Sequence, residues 1–225
     1  MIPLSACRLY TLVDTACLRG RNPQTVAQQL CDGGSDLIQL RAKNSSPEEI
    51  RRMAEAILPV TTRADVRLVV NDHPSIAAAV GATFCHLGQE DFFDAGYTHV
   101  SELPTAGIPL GIGLSTHAPP QAHRALAAGA QYIAVGPVYA TATKPAAGPV
   151  TLDYVRWAAA NLKIPWFAIG GINLQNLDDV LTAGARRICV VSAVLNARGI
   201  VEACREFKNR LLSVPWPENP GSEIA

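Results

Sequence analysis

Short, almost wholly apolar runs recur along the chain, and stretches with the apolar spacing of an amphipathic helix lie between them. Continuous apolar runs are typical of strands that are covered on both faces, as in a parallel sheet. Eight runs fit this description, at residues 8–13, 36–40, 67–70, 84–87, 109–113, 132–136, 166–169 and 187–191. The pattern therefore predicts eight buried, parallel strands.

The intervening segments carry the start and stop signals of helices. Predicted helices include residues 23–31, 47–58, 119–128, 152–161 and 174–182. Asn22 precedes Pro23, Ser46 precedes Pro47 with Glu49 at capping-box spacing, and Asn173 precedes a further apolar stretch. Glycines stand where the helices should stop, at Gly33, Gly34, Gly81, Gly129 and Gly184.

Eight repeats of strand and helix predict an α/β fold, specifically a closed (β/α)8 TIM barrel. A doubly wound sheet is the alternative, and the lack of a G-x-G-x-x-G motif after the first strand disfavours it. We expect one catalytic barrel domain over 1–214 and a disordered tail over 215–225, which is rich in proline. The irregular segment 92–103 is expected to form a longer loop over the pocket.

Composition narrows the class of partner. Lys plus Arg and Asp plus Glu each total 19, so the net charge is zero and neither nucleic acid nor an anionic membrane is an expected partner. The first residues lack a leader pattern, no apolar run reaches membrane-spanning length, and six cysteines lack C-x-x-C spacing. We predict a soluble, cytoplasmic protein with reduced thiols and small-molecule substrates; the oligomeric state stays open.

Candidate chemistry gathers at the carboxyl ends of the predicted strands, which share one rim in a barrel. Gln39, Arg41 and Lys43 alternate along the end of the second strand, so their side chains should point the same way, into the barrel mouth. Guanidinium and ammonium groups are natural counterparts of phosphate oxygens. A solvated loop is a reasonable alternative for Lys43, but burying Gln39 and Arg41 without a polar partner would be costly.

Two carboxylates, Asp72 and Asp91, follow neighbouring strands. Mg²⁺ commonly takes one or two carboxylates and fills its shell with phosphate oxygens and water, so the pair suits a metal that arrives with a diphosphate. The alternative is that Asp72 caps a helix near Pro74 while Asp91 lies in a solvated loop. Their joint position at adjacent strand ends favours the metal.

Later strand ends offer a second phosphate site. Thr141, Thr143 and Lys144 follow the sixth strand, although a Thr-rich loop is common without any function. Gly170 and Gly171 allow close approach of backbone to a ligand, and Asn173 is expected to open a helix whose amides could hold phosphate. Val191 and Ser192 repeat this arrangement before a short helical stretch.

The histidines do not identify a covalent mechanism. His117 ends the fifth strand and could be a general base, but a residue at a helix entry is an equally good interpretation. His86 lies within the fourth strand, where a hydrogen-bonded core residue is the simpler expectation. No Ser/His/Asp order or Cys/His pair has supporting context.

Seven segments together resemble the thiamine phosphate synthase family, in order and at sensible spacing between about 10 and 196. They are 39–43 (QLRAK), 70–72 (VND), 86–91 (HLGQED), 113–117 (GLSTH), 136–137 with 141–144 (GP and TATK), 169–172 (IGGI) and 190–193 (VVSA). The resemblance implies a transferase that joins 4-amino-2-methyl-5-(diphosphooxymethyl)pyrimidine to 4-methyl-5-(2-phosphooxyethyl)thiazole, releasing diphosphate, by a Mg²⁺-assisted dissociative displacement.

The resemblance also implies roles for residues at matching positions. The implied metal ligands are Asp72 and Asp91, and the implied catalytic cations are Arg41, Lys43 and Lys144. The implied ligands of the pyrimidine diphosphate are Gln39, Leu40, Arg41, Ala42, Lys43, Asn71, Ser115 and Lys144. The implied ligands of the thiazole phosphate are Thr141, Ala142, Thr143, Gly171, Val191 and Ser192.

Three other functions compete with this interpretation. A thiazole tautomerase on a similar barrel would not need both aspartates and the full set of cations. An aldolase or epimerase would want a Schiff-base lysine within a strand or carboxylate bases on opposite walls, and neither is evident. A non-catalytic, phosphate-binding barrel is disfavoured because every implied ligand position is filled.

Overall fold

Eight parallel strands close into a barrel in which each strand pairs with the next and β8 pairs with β1. A computed structural model of the chain describes residues 2–141 and 148–216. The strands are β1 Leu9–Asp14, β2 Leu37–Arg41, β3 Arg67–Asn71, β4 Phe84–Leu87, β5 Gly111–Thr116, β6 Tyr132–Val135, β7 Trp166–Ile169 and β8 Ile188–Val190. The predicted TIM barrel is confirmed.

Helices surround the barrel within the described residues. They are α1 Pro23–Asp32, α2 Pro47–Arg63, α3 Pro74–Val80, α4 Pro119–Ala127, α5 Thr151–Asn161, α6 Leu177–Thr182, α7 Ser192–Leu195 and α8 Ile200–Leu212. The Asn22 side chain caps α1, and Ser46 and Glu49 form the capping box of α2. The local sequence therefore fixes these helix starts before any tertiary contact is made.

Three predicted elements have a boundary that is wrong by more than one residue. The helix α2 continues through Pro59 to Arg63, because burial of Ile57 and Val60 outweighs the backbone hydrogen bond that proline removes. The strand β5 begins at Gly111 and extends to Thr116, where pairing with β6 continues beyond the apolar run. The sixth helix starts at Leu177, since residues 173–176 form a separate turn.

An aromatic layer fills the middle of the barrel. The rings of Tyr10, Tyr132 and Phe167 pack edge to face, with centroids 5.3 to 6.0 Å apart. Gly113 makes room for this layer: a Cβ there would lie 2.0 Å from Cζ of Tyr132. The layer separates the carboxyl end of the barrel from its amino end, and Tyr10 and Tyr132 are almost inaccessible to solvent.

The segment after β4 forms irregular turns instead of a regular α-helix. The Phe93 ring stacks against the guanidinium of Arg124 on α4 at 3.7 Å, and the amide of Val100 donates to the carbonyl of Ala128. The segment 92–103 therefore packs beside α4, whereas we predicted a loop over the pocket. None of residues 92–103 lines the pocket at the barrel mouth, whereas Asp91, which directly precedes the segment, does.

The cysteines, the helix lengths and the start of the tail can be compared with the sequence predictions. All six cysteines are free, and four of them are buried. Among the described residues, no helix has the length and apolar character needed to cross a membrane. In the predicted tail, Pro215 accepts a hydrogen bond from Arg186 and Trp216 stacks on Arg8, whereas residues 217–225 lie outside the described part.

Candidate active site

A pocket opens at the carboxyl end of the barrel, where the strand-end residues meet. The predicted site residues that line it are Gln39, Arg41, Lys43, Asn71, Asp72, Asp91, Ser115, Thr141, Gly171, Val191 and Ser192. These residues come from β2 to β8 and the loops that follow them, so only barrel closure brings them together.

Five other predicted residues are not placed in this pocket. The side chains of Leu40 and Ala42 are buried and alternate away from the mouth, so only their backbones remain available to a ligand. Ala142, Thr143 and Lys144 lie outside the described residues. Their roles stay predictions.

Lys43 bridges the two carboxylates that were predicted to hold a metal. Its Nζ lies 2.6 Å from Oδ2 of Asp72 and 3.7 Å from Oδ2 of Asp91. Burial raises the pKa of Asp72; the hydrogen bond from Lys43 opposes that shift, and the charge of Asp91 adds to it. Burial lowers the pKa of Lys43, but the hydrogen bond and charge of Asp72 reverse that effect, so the pKa is raised. The carboxylates thus share one positive charge.

The backbone at Asp72 presents this carboxylate in an unusual way. Its φ is 63°, in the left-handed region that few residues other than glycine adopt, although Asp and Asn tolerate it better than most. The amide of Asp72 donates to the carbonyl of His86, and Oδ2 of Asp72 accepts a hydrogen bond from Nδ2 of Asn71. The strand end therefore holds the carboxylate in a fixed place.

The donors at this end suit a hard cation that brings further ligands with it. Among the described residues, no group of three or more His, Cys, Asp or Glu side chains forms a complete metal shell. Two adjacent carboxylates with phosphate oxygens and water are a common Mg²⁺ environment. The residues therefore fit a cation shared with a phosphate-bearing ligand and do not form a closed structural metal site.

Asp14, which supports the pocket residue Arg41, was missed by the sequence analysis. It ends β1 opposite Arg41 on β2, and its Oδ2 accepts a hydrogen bond from Nη1 of Arg41 at 2.9 Å. Its Oδ1 accepts from the amide of Ala16, and the residue is only 1% exposed. The one signal in the sequence was an acidic residue directly after a predicted strand.

A chain of hydrogen bonds crosses the barrel below the pocket. Nε2 of Gln39 donates to the Tyr10 hydroxyl, which lies 3.1 Å from the Tyr132 hydroxyl. That hydroxyl is 3.1 Å from Nδ1 of His86, whose Nε2 is 2.9 Å from Oγ of Ser115. The network links Gln39 on β2 to Ser115 on β5, both of them predicted ligands of the pyrimidine diphosphate. His86 is hydrogen-bonded as expected, and it also lines the pocket.

Two hydrogen bonds fix the position of His117. Its Nδ1 donates to the carbonyl of Gly136, and its amide donates to Oε1 of Gln121. The Nδ1 proton is therefore engaged, which leaves Nε2 as the ring nitrogen that could accept a proton.

Backbone groups dominate the opposite side of the mouth. Gly170 and Gly171 have φ of 102° and 65°, and a Cβ on Gly171 would lie 2.7 Å from Cβ of Tyr139. Ser192 begins the four-residue α7, so its amide end faces the same mouth as Gly171. Asn173 does not start a helix as predicted, because its Oδ1 caps a turn by accepting from the amides of Gln175 and Asn176.

Comparisons with known proteins show which family the chain belongs to. A family model described as thiamine monophosphate synthase matches residues 9–194. A thiamine-phosphate synthase of Thermus thermophilus is 46% identical over 183 residues, which are 81% of this chain and 85% of that protein. Another, from Halalkalibacterium halodurans, is 37% identical over 206 residues, covering 91% of this chain and 95% of that protein.

A solved structure supports the same likeness. The thiamine phosphate pyrophosphorylase from Pyrococcus furiosus superimposes with a TM-score of 0.80 at 27% identity, covering 93% of this chain and 98% of that one. The similarity therefore extends over the whole barrel, including every strand that contributes to the pocket.

Proposed function

Because the chain belongs to the thiamine monophosphate synthase family, we propose that it joins 4-amino-2-methyl-5-(diphosphooxymethyl)pyrimidine to 4-methyl-5-(2-phosphooxyethyl)thiazole, giving thiamine phosphate and diphosphate. The observation that carries this proposal is the pairing of Lys43 with both Asp72 and Asp91 at one side of the mouth, opposite the amide end of α7. Such a pocket suits two phosphate-bearing substrates at once.

The diphosphate side would use the residues of β2, β3 and β5. Arg41 is held by Asp14 within the pocket wall, and Lys43 lies beside the carboxylates. Both cations would neutralise charge on the diphosphate, and the interaction strengthens as the leaving group gains charge. Ser115 and Gln39 would orient the pyrimidine, supported by the hydrogen-bond network through Tyr132. Lys144 is proposed as a third cation on sequence grounds.

We propose Mg²⁺ as the cofactor, with Asp72 and Asp91 as its protein ligands. Bound there, the ion would supply further positive charge to the diphosphate oxygens. Lys43, which contacts both carboxylates in this structure, would then be released to bind the diphosphate itself.

The thiazole side would use the residues that follow β7 and β8. Gly171 allows a close approach of backbone, and the amide groups at the start of α7 can donate to a phosphate monoester together with the Ser192 hydroxyl. Thr141, Ala142 and Thr143 would contribute from the loop after β6. In this arrangement the two substrates would face each other across the mouth.

The reaction needs little from the protein in proton transfer. The bond between the pyrimidine methylene carbon and the diphosphate oxygen breaks, and both electrons leave with diphosphate. The thiazole nitrogen then uses its lone pair to form the new bond to that carbon, and no proton has to be removed. The protein would position the substrates and stabilise the charges.

The alternative functions fit less well. A thiazole tautomerase needs proton transfer at a single substrate and has no use for a cation beside two aspartates. An aldolase or epimerase would need a Schiff-base lysine within a strand or carboxylate bases on opposite walls, and the described part of the pocket supplies neither. A silent binding protein is disfavoured by the relatives named as synthases. A cytoplasmic location and small-molecule partners, without nucleic acid or membrane, stay predictions.

A direct assay tests the proposal. Purified protein incubated with both substrates and Mg²⁺ should form thiamine phosphate and diphosphate in equal amounts, measured by chromatography and a phosphate assay. Omission of either substrate is the control. Isomerisation of a thiazole without any coupling product would establish the tautomerase instead.

A further inference from the structure

The amino end of the barrel, opposite the proposed active site, contains three inward-facing arginines. Arg8, Arg67 and Arg187 stand at the starts of β1, β3 and β8. Each lies an even number of residues before a pocket-lining residue of the same strand, so alternation points it to the inside of the barrel. The aromatic layer around Tyr10 and Tyr132 separates them from the substrate pocket.

Some of their nitrogen atoms have partners that fasten the chain ends to the barrel. Nη1 of Arg8 donates to the carbonyls of Leu211 and Val214, and Nη2 of Arg187 donates to that of Ser5. The guanidinium groups of Arg8 and Arg187 also stack on Trp216, 4.3 and 4.4 Å from its ring. These contacts involve Nη1 of Arg8, Nη2 of Arg187 and the planes of both guanidinium groups.

The inner donors are not satisfied. Nε and Nη1 of Arg67 and Nε of Arg187 are buried and have no hydrogen-bond partner within the described part of the chain. Buried donors of this kind are rare, because each forfeits its hydrogen bonds with water. These three unpaired donors, on two of the arginines, are groups that a ligand with several acceptor atoms could satisfy.

Within the described residues, these arginines also lack salt bridges. None of these three arginines forms a salt bridge with a carboxylate in residues 2–141 or 148–216. Asp36, the neighbouring acid, is already occupied by Lys208 at 2.6 Å and by the amides of Arg8 and Leu9. The barrel end therefore concentrates positive charge beside a carboxylate that is already paired.

The charges of two of these arginines reach the Cys7 thiol. Burial and then the charge of Asp36 raise the pKa of Cys7 to about 11, while the charges of Arg67, Lys208 and Arg187 act to lower it. Burial also lowers the pKa of Arg187 to about 10, and the charge of Arg8 contributes to that shift. Arg67 and Arg187 therefore act on the same buried point from different strands.

We propose that the amino end of the barrel is a binding site for a phosphate-sized oxyanion, held by Arg67 and Arg187. An oxyanion would accept hydrogen bonds from the unpaired nitrogens and compensate the buried charge, and the guanidinium fork matches phosphate geometry. Two sources could supply this chemistry: free phosphate, or carboxylates of the chain itself, which continues after Trp216 with Glu218 and Glu223. We assign free phosphate as the occupant.

Thermal unfolding of Arg67→Met tests the site, since Met keeps much of the side-chain volume and removes the charge. Phosphate at roughly ten times its Kd should raise the wild-type Tm by about 2–4 °C over chloride of equal ionic strength. That increment should be smaller in Arg67→Met. In chloride the variant should be as stable as wild type or more so, because it no longer buries an unpaired guanidinium. Arg63→Met, at the exposed end of α2, is the matched control.

Phosphate can also bind the substrate pocket, so the increment must be assigned to one end of the barrel. Arg67→Met should reduce the phosphate-induced rise in Tm by the same amount in wild type and in an Arg41→Ala background. Coupling activity with both substrates should be unchanged in Arg67→Met. An Arg67→Met protein that is equally destabilised in chloride and phosphate would overturn the site, because Arg67 would then serve packing alone.

A chain that ends at Trp216 separates the two sources of oxyanion. If phosphate is the occupant, the full chain and the shortened chain should show the same Arg67-dependent increment. A phosphate increment seen only after the shortening would overturn our assignment, since it would mean that the terminal carboxylates fill the site.

Discussion

Oδ2 of Asp14 lies 2.9 Å from Nη1 of Arg41, and the two residues are direct neighbours across β1 and β2. The carboxylate is almost wholly buried, whereas the guanidinium reaches the pocket. Asp14 therefore limits the orientations open to Arg41 before any substrate binds. The pair joins the packed interior of the barrel to its proposed chemistry.

This relationship predicts the effect of Asp14→Asn. The amide can no longer compensate Arg41, so we expect a fall of about tenfold or more in kcat/KM for the pyrimidine diphosphate and a loss of about 1–3 kcal/mol of stability. Steady-state kinetics and urea unfolding measure the two effects. Asp153→Asn, which breaks an exposed ion pair on α5, should change neither. Equal behaviour of the two variants would remove Asp14 from the site.

Removal of the metal or of its ligand should stop coupling. We expect EDTA to abolish thiamine phosphate formation and added Mg²⁺ to restore it. Asp72→Asn should also abolish formation, and added Mg²⁺ should not restore it. Asparagine is the better substitution because it tolerates the left-handed backbone at this position. Asp94→Asn, on the exposed part of the same turn as Asp91, should retain activity. Full turnover in EDTA would refute the metal assignment.

Variants on the two sides of the barrel mouth should each affect the kinetics of a different substrate. Lys144→Ala should weaken use of the pyrimidine diphosphate, whereas Ser192→Ala should mainly raise KM for the thiazole phosphate, each by about tenfold. The reason is that each residue is assigned to one phosphate group only. Varying one substrate at saturation of the other gives the measurement. If both variants affected the same substrate alone, the division into two subsites would be wrong.

Proton transfer and charge stabilisation can be distinguished by two variants. Arg41→Ala should slow single-turnover coupling by about a hundredfold or more, because it removes a cation whose interaction grows as diphosphate departs. His117→Ala should have a small effect, similar to that of the exposed His123→Ala on α4. The reverse order of effects would point to acid–base catalysis and against the dissociative mechanism.

The hydrogen-bond chain beneath the pocket predicts a stability effect at a distance from the substrates. Tyr132→Phe removes the hydroxyl between Tyr10 and His86 and should cost about 1–3 kcal/mol in urea unfolding. It should also raise KM for the pyrimidine diphosphate, since Gln39 and Ser115 lose their common support. Tyr97→Phe, outside the barrel interior, is the control. No change in either quantity would show that the network is dispensable.

Much of the fold could be predicted from the sequence because the strands of a closed parallel barrel are buried on both faces. That burial makes each strand an apolar run, and capping residues such as Asn22 and Ser46 mark the helix starts. Boundaries failed where another interaction outweighed the local pattern. Pro59 remains inside α2 because of packing, and Thr116 remains in β5 through pairing with β6.

The candidate site was predictable where strand ends carry unusual polar residues, as at Arg41 and Asp72. Asp14 was missed because an acid after a strand resembles a loop residue until the register with β2 is known. The helix start predicted at Asn173 was wrong for a related reason, since an asparagine side chain can cap either a helix or a turn. Here Asn173 and Asn176 each accept a hydrogen bond from the amide of the other, and this pairing forms a turn. Sequence spacing does not reveal such alternatives.

Closure of the barrel through β1 and β8 has a consequence for synthesis of the chain on the ribosome. Leu9 pairs with Ile188, so the first strand has to wait for the last before its second edge is covered. At about 5–20 residues per second, that wait lasts roughly 10–40 s. All six residues of β1 are buried in the finished protein, and an uncovered apolar edge is prone to aggregation. The nascent chain is therefore most in need of chaperones just before β8 emerges.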